Sequence, residues 1–276
     1  MITVLIRCSD DYRVLDCIRS IRRTSPNSPI VVSMTPNKKL QKAVLKIKVN
    51  NCVVPKHNAA VTNNKGLELV KTKKVIVTDT DTVFEEEAIG LLDRALDKYD
   101  VVKPKLVFCL KTKPPYFSPI ANLRTFFNDN EGKMYIPGVS FNLKIRKKIG
   151  GYFFDEKIPW GEDSDFSNRV KQNRLKTKVV KKALLYHPSV NVIHDLADAF
   201  LIGFKKQNDR PTTKSKAFFK RVQLLEELFR NYGLPTFLYG ATWYLCFDVG
   251  KVLQRIKPFR NQLESFFWKI LSKEKN

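Results

Sequence analysis

Strand and helix signals alternate over the first 110 residues, and this alternation limits the fold more than any other feature of the chain. The first strand, ITVLIR (2–7), is followed by a polar turn and then by Val14, Leu15, Ile18 and Ile21 at helical spacing. Further strands are predicted at 29–33, 52–54, 75–78 and 101–108, with helices at 39–48, 59–71 and 85–99. Such alternation predicts an α/β fold with a mostly parallel sheet and helices on both faces.

The alternation ends after residue 110, at the proline-rich stretch KTKPPYFSPIANL (111–123). Beyond it we predict a strand at 138–145, a helix at 163–172 and one or two strands within 184–193. From about residue 195 the pattern is helical. We therefore predict a catalytic α/β domain over 1–200 and a basic, aromatic-rich helical extension over 201–276.

The charge balance favours anionic partners. The chain has 276 residues, with 50 Lys and Arg against 27 Asp and Glu, a net charge of +23. Its five cysteines include no C-x-x-C pair, so we expect neither a zinc site nor a disulfide framework. Together with the lack of a signal-peptide pattern at MITVLIRCSDD, this predicts a cytoplasmic location.

Two aspartates, Asp79 and Asp81, directly follow the strand predicted at 75–78. Ligands of open α/β sheets bind beyond the carboxyl ends of the strands. Two carboxylates there suit Mg²⁺ or Mn²⁺, which would bridge them to a diphosphate. The alternative is an acidic turn that precedes the next helix.

Four segments stand in an order that resembles the family 2 glycosyltransferases of the GT-A fold. They are ITVLIRCSDDYRVLDCIRSI, AAVTNNKGLELVKTKKVIVTDTDTVF, IGGYFFDEKIPWGEDSDFSNRV and LLYHPSVNVIH, and they span roughly residues 1–195. The resemblance implies a Rossmann-like catalytic domain that binds a nucleotide-diphosphate sugar, most readily a UDP-sugar, with Mn²⁺ or Mg²⁺ as cofactor. It also implies transfer of the sugar to an acceptor hydroxyl with inversion.

The resemblance places the donor around the D-x-D pair, with Asp79 on the nucleotide and Asp81 on the metal. Asn64 and Gly66 match the family's Asn-x-Gly, although a plain helix start would also explain them. The family's acidic residue after the second strand is missing from PIVVSMTPN, and Asp10 or Asp11 is the expected substitute. Gly138 and Trp160 complete the predicted nucleotide-sugar site, with Trp160 stacked on the sugar or else packed in the core.

The Glu-Asp pair of PWGEDSDF, Glu162 and Asp163, matches the family's catalytic acids. An inverting transfer needs a base that takes the proton of the attacking hydroxyl, so Asp163 is the predicted base and Glu162 sets its position or pKa. The alternative is an acidic helix N-terminus. His194 is predicted to complete the metal site and would favour manganese, while His187 and His57 are interpreted as structural.

Cations and aromatic residues are mixed throughout the extension, a composition that favours an anionic membrane surface on the cytoplasmic side. A helical subdomain with a solvated basic face is the alternative. Nucleic acid is not expected, because the chain has no recognised binding motif. The expected acceptor is a glycan or a lipid-linked or anionic molecule.

Two other functional classes stay open. A sugar nucleotidyltransferase would share the sheet and the metal acids, but the glycine-rich, arginine-containing loop expected after its first strand is missing from RCSDDYRVLD. A non-catalytic basic binding protein would explain the charge without the Glu-Asp pair.

Overall fold

The structure, a computed structural model, describes residues 1–47, 49–54, 58–109, 118–129, 132–158, 161–188, 191–205 and 214–253. The chain divides into two compact units. Unit 1 comprises Met1–Val107 and Asn128–His187, and unit 2 comprises Phe108–Phe127 and Pro188–Asn276. The division differs from the predicted boundary near residue 200, because that position lies inside a continuous helix, Val192–Lys205.

The elements of the chain alternate as the sequence predicts. In order they are β1 (Ile2–Cys8), α1 (Val14–Thr24), β2 (Ile30–Met34), α2 (Lys38–Leu45), β3 (Asn50–Val53), α3 (Ala59–Glu68), β4 (Lys74–Asp79), β5 (Val83–Phe84), α4 (Ala88–Ala95), β6 (Val101–Cys109), α5 (Ser118–Asn128), β7 (Val139–Asn142), a 3₁₀ turn (Leu143–Lys147), α6 (Glu162–Gln172), β8 (Thr177–Pro188), α7 (Val192–Lys205) and α8 (Lys214–Leu253).

One sheet of eight strands organises the described part of unit 1, in the order β3-β2-β1-β4-β7-β6-β8-β5. β1 pairs in parallel with β2 and β4, and β2 with β3. β7 then runs antiparallel to both β4 and β6. The predicted α/β class with a sheet flanked by helices is confirmed, and the first four strands pair in parallel.

A continuous apolar core explains why the carboxyl ends of β1 and β4 are held together. Leu5, Val75, Val77, Phe141 and Phe166 pack in one cluster between the sheet and its helices. α3 lies close against β1, because a Cβ on Gly66 would stand 2.2 Å from Leu5 Cδ1. A larger residue at position 66 would therefore force the side chain of Leu5 to shift.

A predicted helix start and a predicted strand end differ from the structure. α4 begins at Ala88, and the three acids predicted in its first turn, Glu85 to Glu87, precede it because Glu87 has a left-handed φ of 63°. β8 ends at Pro188 and α7 begins at Val192, so the strand predicted to reach residue 193 stops earlier. His194 consequently lies on a helix.

Unit 2 has its own apolar core and a buried polar network. Ile120 and Leu123 of α5 pack with Leu228 and Tyr239 of α8. Buried Asp195 accepts hydrogen bonds from Arg124 and, at 2.6 Å, from Tyr239 Oη. α8 is interrupted at Gly233, whose φ is 79°. Within the described ranges, none of the helices combines the length and apolarity that crossing a membrane requires.

Candidate active site

The aspartates of the D-x-D sequence lie at the carboxyl end of β4, as predicted. β4 ends at Asp79, and buried threonines stabilise the turn that follows. Thr82 Oγ1 donates to the backbone oxygen of Asp79 at 2.8 Å and lies 2.9 Å from Thr78 Oγ1. These bonds fix the turn from its buried side and leave both carboxylates at the rim of the sheet.

An arginine of β1 joins this rim to the start of α6. Parallel pairing sets Arg7 directly opposite Asp79. Arg7 Nε and Nη2 lie 3.0 and 2.7 Å from Asp79 Oδ1, and Nη1 lies 2.7 Å from Glu162 Oε1. Burial lowers the pKa of Arg7, but the carboxylates around it outweigh that effect and hold the pKa above its ordinary value. The predicted nucleotide-binding and catalytic acids are therefore neighbours.

Glu162 and Asp163 occupy the first turn of α6, after Gly161 with its left-handed φ of 87°. An acidic first turn is favoured by the helix dipole, as the structural alternative expects. Burial and the neighbouring Glu162 nevertheless raise the pKa of Asp163 to about 7, against the opposing effect of Arg7. A carboxyl group with that pKa can exchange a proton at neutral pH, as a general base must.

Asp81 lies between an arginine and a histidine. Its Oδ2 is 3.4 Å from Arg13 Nη1, and its Oδ1 is 3.4 Å from Nε2 of His187, the last residue of unit 1. The contact gives His187 a place at the rim, whereas the sequence analysis interprets it as structural. His194 lies in unit 2, where its Nδ1 is 3.5 Å from Asp198 Oδ2.

The aspartates after β1 reach the same rim in different ways. Arg13 donates to both carboxylate oxygens of Asp11, at 3.0 and 2.9 Å, and Thr80 Oγ1 donates to Asp11 Oδ2 at 3.1 Å. Burial raises the pKa of Asp11, but the bonds from Arg13 outweigh it and leave the pKa lowered. Asp10 instead accepts a hydrogen bond from Asn37, the residue that caps α2. Asp11 is thus linked to Asp81 through Arg13.

The other residues predicted to bind the nucleotide-sugar donor make contacts that stabilise the fold. Asn64 Nδ2 donates to Phe154 O at 2.8 Å and Asn64 Oδ1 accepts from Phe154 N, which ties α3 to the loop before α6. Gly138 directly precedes β7 with φ +87°, and a Cβ there would lie 2.6 Å from Pro104 Cγ. Both residues shape the rim. Trp160 and His57 lie outside the described residues.

The side chains at this rim would hold a divalent cation only together with a bound substrate that also coordinates it. Among the residues that the structure describes, no group of three His, Cys, Asp or Glu side chains is placed to hold a metal. Asp81 and His187 do lie side by side and form a carboxylate and imidazole pair. Mg²⁺ and Mn²⁺ are commonly held by one or two carboxylates plus substrate phosphates, so the pair fits a metal that arrives with a diphosphate.

Structural comparison finds a similar fold in solved structures of Staphylococcus aureus TarS. The chain is similar to Staphylococcus aureus TarS 1–349 in complex with UDP, at 17% identity and a TM-score of 0.51 over 84% of this chain and 72% of that one. The complex with UDP-GlcNAc matches at 15% and 0.50, over 83% and 73%. A longer TarS structure matches at 12% and 0.54 over 99% of this chain and 55% of that one.

At such identities the likeness shows the fold. No family model matches the chain, and no curated protein sequence matches it.

Sequence analysis missed three contributors to the rim: Arg7, Arg13 and His187. Arg7 carried a usable signal, because a charge inside the apolar strand ITVLIRC needs a buried partner. The other two carried none, since their contacts with Asp81 depend on how distant turns meet.

Proposed function

We propose that the chain is a metal-dependent, inverting glycosyltransferase that moves a sugar from a nucleotide-diphosphate donor to an acceptor hydroxyl. One observation carries this proposal: Arg7 joins Asp79, at the end of β4, to Glu162, at the start of α6, with Asp163 beside it. A donor-binding acid and a candidate base thus lie at one edge of the sheet, where α/β folds bind ligands.

Asp163 acts as the base in this proposal. Its carboxylate takes the proton of the acceptor hydroxyl while that oxygen forms a bond to the anomeric carbon of the sugar. The bond from this carbon to the diphosphate breaks, and the nucleoside diphosphate departs with the electron pair. A pKa of about 7 suits the task, because an effective base has a pKa close to the working pH.

Asp81 and His187 would hold the divalent cation, with Mn²⁺ favoured by the imidazole. When bound, the ion supplies positive charge for the leaving diphosphate. Asp79, Asp11 and Asn64 are the proposed contacts of the nucleoside, and UDP is the proposed nucleotide because the similar TarS structures contain UDP or UDP-GlcNAc. The family 2 resemblance and the predicted role of His194 belong to this proposal.

The test is a screen of UDP-sugars and other nucleotide sugars for thermal stabilisation and for release of the nucleotide, each with Mn²⁺, Mg²⁺ or a chelator. We expect at least one UDP-sugar to raise the melting temperature with Mn²⁺, and Asp81→Asn to abolish that shift. No stabilisation by any nucleotide sugar in either metal would contradict the proposal.

The same screen separates the other classes. A sugar nucleotidyltransferase would form a nucleotide sugar from a nucleoside triphosphate and a sugar phosphate, and it would release pyrophosphate. A non-catalytic basic protein would keep all its binding in the Asp81→Asn and Asp163→Asn variants.

An exposed apolar face of unit 2 supports a membrane partner. Between residues 234 and 247 α8 has no charged residue. Its outer side carries Leu234, Leu238, Leu245, Val249 and Val252, all exposed, and helical spacing aligns them along one stripe. A surface depression of about 390 Å³ lies beside Leu234 and Leu238. A contiguous apolar surface of this kind typically marks an interaction site.

We propose an anionic lipid surface as the occupant, because cations surround the stripe in sequence. Lys251 stands between Val249 and Val252 of the stripe, and Arg255, Lys257 and Arg260 come next along the chain. Aliphatic side chains would enter the interface while the cations meet lipid headgroups. A peripheral position on the cytoplasmic face would bring the enzyme to a lipid-linked acceptor.

Vesicle flotation tests this placement. We expect the full chain to float with phosphatidylglycerol vesicles more than with neutral phosphatidylcholine vesicles, and a Leu238→Glu, Leu245→Glu variant to lose flotation. Leu45→Glu is the matched control, since Leu45 of α2 is 55% exposed and Leu238 is 54% exposed. Equal flotation of the double variant and the control would contradict the proposal. A larger oligomer of the wild type without flotation would point instead to a second copy on the stripe.

A further inference from the structure

Among the residues that the structure describes, Arg7 is the cation that contacts both Asp79 and Glu162. It stands near the end of β1, in a strand whose other residues are apolar or small, and only 21% of its side chain is exposed. Glu162 is more deeply buried, at 8%. A buried charge is tolerated when it is paired, so the contacts of Arg7 account for its place in the sheet.

The guanidinium of Arg7 contacts two elements, the end of β4 and the start of α6. Nε donates a hydrogen bond to Oδ1 of Asp79 and Nη2 forms an ion pair with the same oxygen, while Nη1 donates to Oε1 of Glu162. In the part of the chain that the structure describes, Asp79 Oδ2 makes no hydrogen bond, so this oxygen remains for a ligand. Residues 7, 79 and 162 are far apart in sequence, and no other side chain links the end of β4 to the start of α6 among the described contacts.

We propose that Arg7 is a positioning residue: it ties the nucleotide-binding carboxylate Asp79 to Glu162, so that donor binding and the orientation of the base Asp163 are coupled. This inference rests on the proposed function. Asp163 follows Glu162 in the same helical turn, so an arginine that holds Glu162 also sets where the base lies. Because Asp79 shares that arginine, a nucleotide that orders Asp79 also orders the start of α6.

A purely structural arginine is available for comparison in the same unit. Arg169 Nε donates to Asp165 at 2.7 Å, and its Nη1 donates to Ile149 O at 2.8 Å. It is as well buried as Arg7, at 12% side-chain exposure, and it contacts neither Asp79 nor Glu162. Arg169→Lys therefore removes a comparable set of bonds without touching the proposed coupling.

The experiment measures UDP affinity, kcat, KM and melting temperature for wild type, Arg7→Lys and Arg169→Lys. The substrate is the nucleotide sugar that the wild type turns over. Lysine offers one ammonium group and cannot reach two carboxylates as the planar guanidinium does. We expect Arg7→Lys to weaken UDP binding and to lower kcat by about 100-fold, the scale of a small misplacement of catalytic groups. Arg169→Lys should lower only the melting temperature.

A double-mutant cycle gives a second reading that general destabilisation would not produce. If Arg7 acts through Glu162, then Arg7→Met combined with Glu162→Gln should reduce kcat little further than Arg7→Met alone. Independent, multiplying effects would overturn the inference, as would an Arg7→Lys variant that behaves like Arg169→Lys. A wild type that neither binds UDP nor turns over any nucleotide sugar would instead overturn the proposed function, and this inference with it.

Discussion

The two acidic pairs of unit 1 differ in how cations are distributed around them. Asp79 and Asp81 each have a cation within 3.4 Å, Arg7 for the first and Arg13 for the second. Among the described contacts, Glu162 and Asp163 have a single cation for the pair, since Arg7 bonds to Glu162. Asp163 lies beside a second carboxylate in a buried place, and its pKa rises to about 7.

The difference indicates how two similar pairs take different roles. A carboxylate that is paired with a cation is fixed in place, as a ligand-binding group must be. A buried carboxylate next to another one holds its proton more tightly and becomes a proton acceptor near neutral pH. In this account, the first pair binds the donor and its metal, and the second pair performs the proton transfer.

The largest expected effect comes from removing the base. Asp163→Asn keeps the shape of the side chain but cannot accept a proton, so kcat should fall by roughly 10²- to 10⁴-fold, the usual contribution of general base catalysis. Steady-state kinetics checks the change. Asp165→Asn is the control, because Asp165 stands in the same turn and bonds to Arg169. Comparable losses in both variants would show that the helix start is merely destabilised.

The pH dependence sharpens the comparison further. Because Asp163 must be deprotonated, kcat/KM should fall about tenfold for each pH unit below 7 and level off above it. The folded state binds this proton more tightly than the unfolded state, whose pKa is near 3.8, so the group's contribution to stability is present at low pH and is lost as pH rises through about 7. Asp163→Asn should remove both effects. A rate profile without an inflection near 7 would contradict the assignment.

Substitution of His187 and of His194 should give the smallest effects, and comparing UDP binding in the two variants tests the metal site specifically. His187 lies 3.4 Å from Asp81, so His187→Ala should weaken Mn²⁺-dependent UDP binding by about 10- to 100-fold. His194→Ala should cause a loss of the same size if His194 is the metal ligand that the family resemblance implies, and no loss if its contact with Asp198 is purely structural. Calorimetric titration with UDP at fixed Mn²⁺ measures both. A larger loss in His194→Ala would support the metal ligand that the family resemblance implies.

The features that are best predicted from the sequence are those that a local pattern of residues determines. The β-formers before Asp79 place the D-x-D pair at a strand end, and the spacing of Val14, Ile18 and Ile21 gives α1. Both features depend on alternation and helical periodicity, which neighbouring residues determine.

The rest of the site depends on contacts between distant segments. The register of β1 against β4 brings Arg7 to Asp79, and no local pattern reveals that register. β8 ends at Pro188 and brings His187 beside Asp81, whereas the strand signal of LYHPSVNVIH continues beyond Pro188. The left-handed φ of Glu87 likewise moves the start of α4 along the chain to Ala88.

UDP binding with Mn²⁺ in two variants tests the division of roles most directly. The account predicts that Asp81→Asn loses UDP binding, whereas Asp163→Asn binds UDP as tightly as the wild type while its turnover collapses. Loss of UDP binding in Asp163→Asn, with binding retained in Asp81→Asn, would contradict it.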